Sequence, residues 1–270
     1  MKQKFIDSYK MLTSHEGTLF VYAFAYALIV GIAPFLIVAV LVTSTLLLDM
    51  NTMVEMMSHY IPSDLIVPFI SYVKEVAPSD VILLISLSSV SFWVASKSVY
   101  SFLLEASRID KVEIKGFVLR IISVVYFIFI LLGGMSVIVL LRYLPPYNYI
   151  TVPLLLWLMM MSFYRLISFR FSSFSDVYMG SAFATAALIG LGRLFFVYVN
   201  DFSNYQNVYG PLASLMILLI SIYYMSYIIY FGFCVNVQFY EEKEGTGFKN
   251  KLIYKLSNIN PLEWFQKSKD

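Results

Sequence analysis

Charge is scarce in this chain. Of its 270 residues only 13% are Asp, Glu, Lys or Arg, against roughly 25% in soluble domains. That shortage excludes an ordinary soluble domain, whose solvated surface needs charge. Cysteine occurs once, at Cys234, which excludes an intrachain disulfide and any CxxC metal or redox pair. The two histidines, His15 and His59, are far apart and have no third ligand in range, so no metal site and no cofactor are expected. A net charge of only +2 excludes a nucleic-acid surface built on a basic stripe. There is no hydrolase elbow, P-loop, HExxH helix or dinucleotide fingerprint. Glu105 is the single acid near the apolar interior, and no second carboxylate lies near it in sequence. The chain is not expected to be an enzyme, and no catalytic residue is assigned.

Apolar residues fill the space that charge leaves. They make up 60% of the chain, and mean hydropathy is +0.77. A helix needs about 20 apolar residues to cross ~30 Å of hydrocarbon. Six runs qualify: Leu19–Leu48, Val81–Leu104, Phe117–Leu141, Ile150–Ile167, Val177–Val199 and Pro211–Val237. The expected fold is all-α, a polytopic membrane bundle of six transmembrane helices. Residues 1–16 are polar, and the run after them is about twice the length of a signal-peptide core, so it is expected to be retained. Pro34 marks a kink in this first run.

Lysine and arginine set the orientation. Lys2, Lys4, Lys10, Arg108, Lys111, Lys115, Arg165 and Arg170 share one side with the lysine-rich tail, while the other side holds Lys74 and Arg142. Both termini are therefore expected in the cytoplasm. The organisation expected is a cytoplasmic segment over residues 1–18, a membrane domain over 19–240 and a basic cytoplasmic tail over 241–270. Within the domain, 49–80 reads as an outer loop of short amphipathic helices, punctuated by Pro62 and ended by Pro78.

Small residues repeat at four in Ala23, Ala27 and Gly31, and again in Ala182, Ala186 and Gly190. With Gly133, Gly134 and Gly232 they are expected at helix contacts. The second run carries something else. Ser86, Ser89, Trp93, Ser96, Lys97, Tyr100 and Ser101 fall near one helical face and form a polar stripe with a cation on it. Lys97 either snorkels to the headgroups or faces a cavity. Arg193 sits as deep in the fifth run. It either pairs with Asp201 or contacts an anion, for which its planar guanidinium is suited. Asn200 lies on the same face. Lys97 is the seventeenth residue of its run and Arg193 the seventeenth of its own. The two runs point in opposite directions, as a 3+3 inverted repeat would require.

Several stretches resemble the YihY/BrkB family of inner-membrane proteins. They are AYALIVGIAPFLIVAV in the first run, WVASK at Trp93–Lys97, Phe196-x-Tyr198, Val208-Tyr209-Gly210 before Pro211, and Gly232 with Asn236 near the end of the last run. The likeness covers nearly all of residues 19 to 240. Two departures are Ser107, where the family tends to carry asparagine, and Tyr223-Tyr224, where tryptophan is common. The resemblance implies six helices, a cytoplasmic N-terminus and a multi-pass protein of the bacterial inner membrane. It also implies associations with virulence and envelope lipid export. Members have been labelled ribonuclease BN, but this sequence offers no ligands for a metal ion that would cleave phosphodiesters.

The function expected is transport of an anionic lipid or lipid-linked envelope precursor, with membrane lipids as partners and no nucleic acid. Lys97, Arg193, Trp93, Ser89, Tyr100, Asn200, Asp201 and Asn236 are the candidate substrate contacts. Pro34, Gly210 and Pro211 are the candidate gating positions. Two alternatives are an envelope-organising structural protein without transport, and a small-solute or ion exporter.

Overall fold

The computed structural model describes residues 1–45, 81–143, 148–201 and 211–240. These residues are all helical apart from short connections. The elements are α1 Lys2–Thr13, α2 His15–Thr45, α3 Val81–Ile109, α4 Gly116–Tyr143, α5 Asn148–Ile167, a 3-10 turn Phe174–Asp176, α6 Tyr178–Asp201 and α7 Pro211–Phe239. No strand occurs among the described residues. The helical part of each of the six apolar runs coincides with one of α2 to α7. The outer loop 49–80, Gly210 and the tail 241–270 lie outside the described residues.

Four helices contain stretches long and apolar enough to cross a membrane: Gly116–Gly134, Ile150–Ile167, Tyr178–Phe195 and Met216–Phe239. The outer face of α4 shows why. Phe117, Ile121, Val125, Ile128, Phe129 and Leu132 are all exposed, at the spacing of one helical stripe. An apolar stripe with nothing packed on it is stable only in an apolar solvent.

One helix was not expected. Residues 2–13, within the polar segment that precedes the first apolar run, form α1. Its Ser8 and Leu12 are buried, and Ser8 Oγ donates to the Cys234 carbonyl oxygen at 3.5 Å. Phe5 meets the Phe239 ring edge-on with 5.2 Å between centroids. Short helices are marginal by themselves, and packing of this kind supplies the missing stability. Ser14 ends α1 and starts α2, its Oγ accepting from the Gly17 N–H at 3.0 Å as an N-cap does.

The end of α3 is equally well defined. Lys111 adopts φ 54°, and its N–H donates to the Arg108 carbonyl at 3.2 Å. Val112 N–H donates to the Ser107 carbonyl at 2.9 Å. This is a Schellman stop with lysine at the position that usually takes glycine. It turns the chain sharply and leaves Asp110 pointing inward. At the opposite end of the sequence, Pro211 opens α7 at the first helical position, where a missing N–H costs nothing.

The chain divides into two compact units, with the boundaries falling inside helices. One comprises Met1–Phe20, Ser96–Thr185 and Ile229–Asp270. Its core is aromatic and centred on Phe102, which is fully buried. Phe20, Phe163 and Phe233 lie 5.0, 5.4 and 5.2 Å from its ring, all near edge-to-face. Each such pair contributes about 1 kcal/mol beyond its area. In the same unit α6 and α7 make backbone contact at Gly180 and Gly232. A Cβ on Gly180 would overlap the Gly232 carbonyl, and one on Gly232 would lie 2.8 Å from the Gly180 carbonyl oxygen. The close approach expected of Gly232 is therefore present.

The other unit comprises Val21–Ala95 and Ala186–Ile228. Here Gly31 packs on Ala95, with 3.2 Å between an added Cβ and the alanine methyl. The second small-residue stripe behaves differently from its expectation. Ala182, Ala186 and Gly190 are exposed, and nothing described lies within 4 Å of a Cβ on Gly190. Small residues permit close packing but do not compel it, and this face of α6 has no partner among the described residues.

Candidate functional site

The polar stripe is real but narrower than the sequence suggests. Ser86, Ser89, Trp93 and Lys97 are exposed on α3, and Trp93 retains 54% of its surface. Val90 and Leu104 share that face. Ser96, expected on the stripe, is fully buried. It stands a quarter turn from Lys97, enough to rotate it into the core. Ser86, Ser89 and Trp93 belong to one compact unit and Lys97 to the other.

Tyr100, one turn past Lys97, is half-buried, and its hydroxyl lies 3.7 Å from where a Cβ on Gly116 would stand. The Arg120 guanidinium carbon is 6.0 Å from its ring, within reach of a cation–π contact. The sequence carries the same signal for Arg120 as for Lys97, a cation a few residues inside an apolar run. The structure thus joins Tyr100 to a second cation at the start of α4.

Arg193 is exposed on α6. Neither it nor Lys97 makes an ion pair or hydrogen bond among the described residues. The backbones of Asn200 and Asp201 close α6, but their side chains lie outside the described residues, as does that of Pro34 on α2.

Asn236 is fully buried near the end of α7. Its Oδ1 accepts the Gly180 N–H at 2.7 Å, so it satisfies a donor in the first turn of α6 from a different helix. Its Nδ2 has no partner among the described residues. Tyr164 makes a parallel tie, its hydroxyl donating to the Ile229 carbonyl at 2.8 Å.

Two ionic clusters sit near this region, both invisible in the sequence. In the first, Arg108 Nη2 donates to Glu16 Oε1 at 2.7 Å, and its Nη1 stands 3.7 Å from Glu105 Oε2. The Tyr230 hydroxyl donates to Glu105 Oε1 at 3.0 Å. Glu105 is the first residue past the apolar run of α3. Burial pushes its carboxyl above the ordinary range, while Tyr230 and Arg108 pull it down and Glu16 adds a smaller upward push. In the second cluster, Arg170 Nε stands 3.0 Å from Asp110 Oδ1. Asp110 Oδ2 accepts the Phe169 N–H at 3.2 Å and the Ser168 hydroxyl at 3.4 Å. These ties bind α3 to the connection after α5.

No group of three or more His, Cys, Asp or Glu residues able to hold a metal occurs among the described residues. What the geometry provides is a tied ionic region in one unit and cations on outward helix faces.

Long apolar helices with exposed apolar stripes define a helical membrane protein. The chain belongs to the family described as Virulence factor BrkB, whose sequence model matches residues 8–251. That match bears out the resemblance drawn from the motifs. No curated protein and no solved structure matches the chain.

Proposed function

We propose that this BrkB-family chain is a six-span transporter of the bacterial inner membrane, moving an anionic lipid or lipid-linked envelope precursor between leaflets. One observation carries the proposal. Lys97 is exposed on a long, largely apolar helix, with no ion pair among the described residues. A cation well inside an apolar run is costly unless it is used, and a phosphate headgroup needs a cation along its way. Arg193, equally exposed, is the counterpart from the other leaflet. Both termini lie in the cytoplasm by the lysine and arginine bias, and two inverted halves of three spans place the cations at matching depth. The chain works without a cofactor, catalyses no covalent step, and has lipid rather than nucleic acid as its partner.

Purified protein in liposomes should speed translocation of a fluorescent phosphatidylglycerol. Lys97→Ala and Arg193→Ala should each slow it about tenfold, the loss of one charge-assisted contact. Unchanged rates in both variants would sink the proposal. A second reading, a structural membrane protein with no path, is favoured by the ionic ties around Asp110 and Glu105. It predicts no translocation by any variant.

A further inference from the structure

Helix α1 has three sides. Ser8 and Leu12 are buried and Phe5 lies against Phe239, so the first side is taken up by packing on the end of α7. Lys4 stands at its edge, with Nζ 5.3 Å from the centre of the Phe239 ring. Going round the helix at about 100° per residue, Tyr9, Lys2, Ile6 and Lys10 come next. Gln3 and Asp7 follow as the third side, joined by a hydrogen bond from Gln3 Nε2 to Asp7 Oδ1 at 3.2 Å. Asp7 is the only acid in α1. All of these residues, and the end of α7, belong to one compact unit.

The middle side mixes apolar and basic residues. Tyr9 is 59% exposed and Ile6 41%, and Lys2 and Lys10 are exposed beside them. Lys2 has no ion pair or hydrogen bond among the described residues, and Lys10 meets Asp7 at 3.7 Å. An exposed isoleucine or tyrosine is ordinary on its own. The level at which these stand is what gives them meaning. The contacts of α1 with α7 fall at Cys234 and Phe239, within the last two turns, and the apolar stretch of α7 ends at Phe239. Helix α1 therefore lies where acyl chains give way to headgroups. Tyrosine is at home at that level, and lysine stems can lie on apolar ground while their ammonium groups reach phosphates.

We propose that the side of α1 formed by Lys2, Ile6, Tyr9 and Lys10 is a docking surface for anionic lipid headgroups on the membrane face where α7 ends. Ile6 and Tyr9 enter the boundary between headgroups and acyl chains, and the two lysines bind phosphates, as an interfacial amphipathic helix does. Gln3 and Asp7 then face water. Charge selects this occupant, because the side carries two cations and no acid. A second copy seated on it in a two-fold contact would set lysine against lysine. The lipid gives α1 a second support beside its packing on α7, and this holds whether or not the chain transports anything.

The test uses the full-length protein in liposomes, with a bimane fluorophore on one cysteine in a Cys234→Ser background. That background keeps the carbonyl that accepts from Ser8. Thr13→Cys puts the label on the proposed side, one turn past Tyr9, and leaves Ile6 and both lysines in place. Gln3→Cys puts it on the water side. The quenchers are nitroxide-labelled phosphatidylglycerol, nitroxide-labelled phosphatidylcholine and aqueous acrylamide. Lipid nitroxides should quench the label at position 13, and acrylamide the label at position 3. Phosphatidylglycerol should be preferred over phosphatidylcholine about tenfold at position 13, and Lys2→Gln with Lys10→Gln should cut that preference to about twofold or less. Acrylamide reaching both labels alike would mean that the side faces water. Equal quenching by the two lipids would mean that it does not recognise charge. Self-quenching that grows with the ratio of protein to lipid would mean that a second copy covers it. Any of these three results overturns the proposal.

Discussion

Arg170 and Asp110 form an ion pair that closes the space between the end of α3 and the connection after α5. Nε stands 3.0 Å from Oδ1, and the two side chains are not equal in exposure: 31% for Arg170 and 1% for Asp110. The carboxylate is the committed partner, because it cannot reach water if the arginine leaves.

Arg170→Ala should therefore destabilise the protein by about 2 to 3 kcal/mol, somewhat less than a fully buried pair because the guanidinium is partly wet. Adding Asp110→Asn should recover part of that loss, since the amide removes the stranded charge while its oxygen still accepts from Phe169 N–H. Thermal unfolding of the single and double variants in detergent measures this. A double variant less stable than Arg170→Ala would show that the carboxylate charge is not the source of the cost.

Gly232→Ala should be among the most damaging single substitutions. The added methyl would meet the Tyr164 hydroxyl, the Gly180 carbonyl oxygen at 2.8 Å and the Ala184 methyl at 2.9 Å. Two of these three are backbone or short side chains with nowhere to go. Overpacking of this kind costs about 1 to 3 kcal/mol or more. Gly190→Ala, on an open face, should cost almost nothing and even gain helix propensity. Comparing the monodisperse yield of the two variants gives the readout, and equal yields would contradict the close contact of α6 and α7.

Glu105 gives the protein a pH signature. Its carboxyl is raised above the ordinary 4.5 chiefly by burial, so the folded state holds this proton more tightly than the unfolded chain does. The resulting stability is fully present below about pH 4.5 and is lost as pH rises through the folded value. Glu105→Gln keeps an acceptor for the Tyr230 hydroxyl and removes the titration. The unfolding midpoint of the unsubstituted protein should fall relative to that of Glu105→Gln between pH 4.5 and 8. Parallel curves over that range would contradict the assignment.

Much of the helical framework could be read from the residues themselves. Long apolar runs have only one way to satisfy their backbone in lipid, so the described parts of all six are helices, and Pro211 starts the last. Gly232 is a contact as its size suggests. What could not be read depends on neighbours rather than on sequence spacing. Glu16 and Arg108 are 92 residues apart, and nothing in either local pattern points to the other. Ser96 has the spacing of the outward stripe but lies at its edge, and burial in the folded protein settles the edge positions. The α1 helix is too short and too polar for periodicity to reveal, because its stability comes from α7. Arg120, by contrast, has a local signal of its own, a cation a few residues inside an apolar run.

The tie between α1 and α7 sets an order of events in assembly. Ser8 leaves the ribosome 226 residues ahead of its partner Cys234. Closing so long a loop comes late in folding. Helix α1 is thus made well before α7 but docks only after it, and its seating on Phe239 reports that α7 has reached its place.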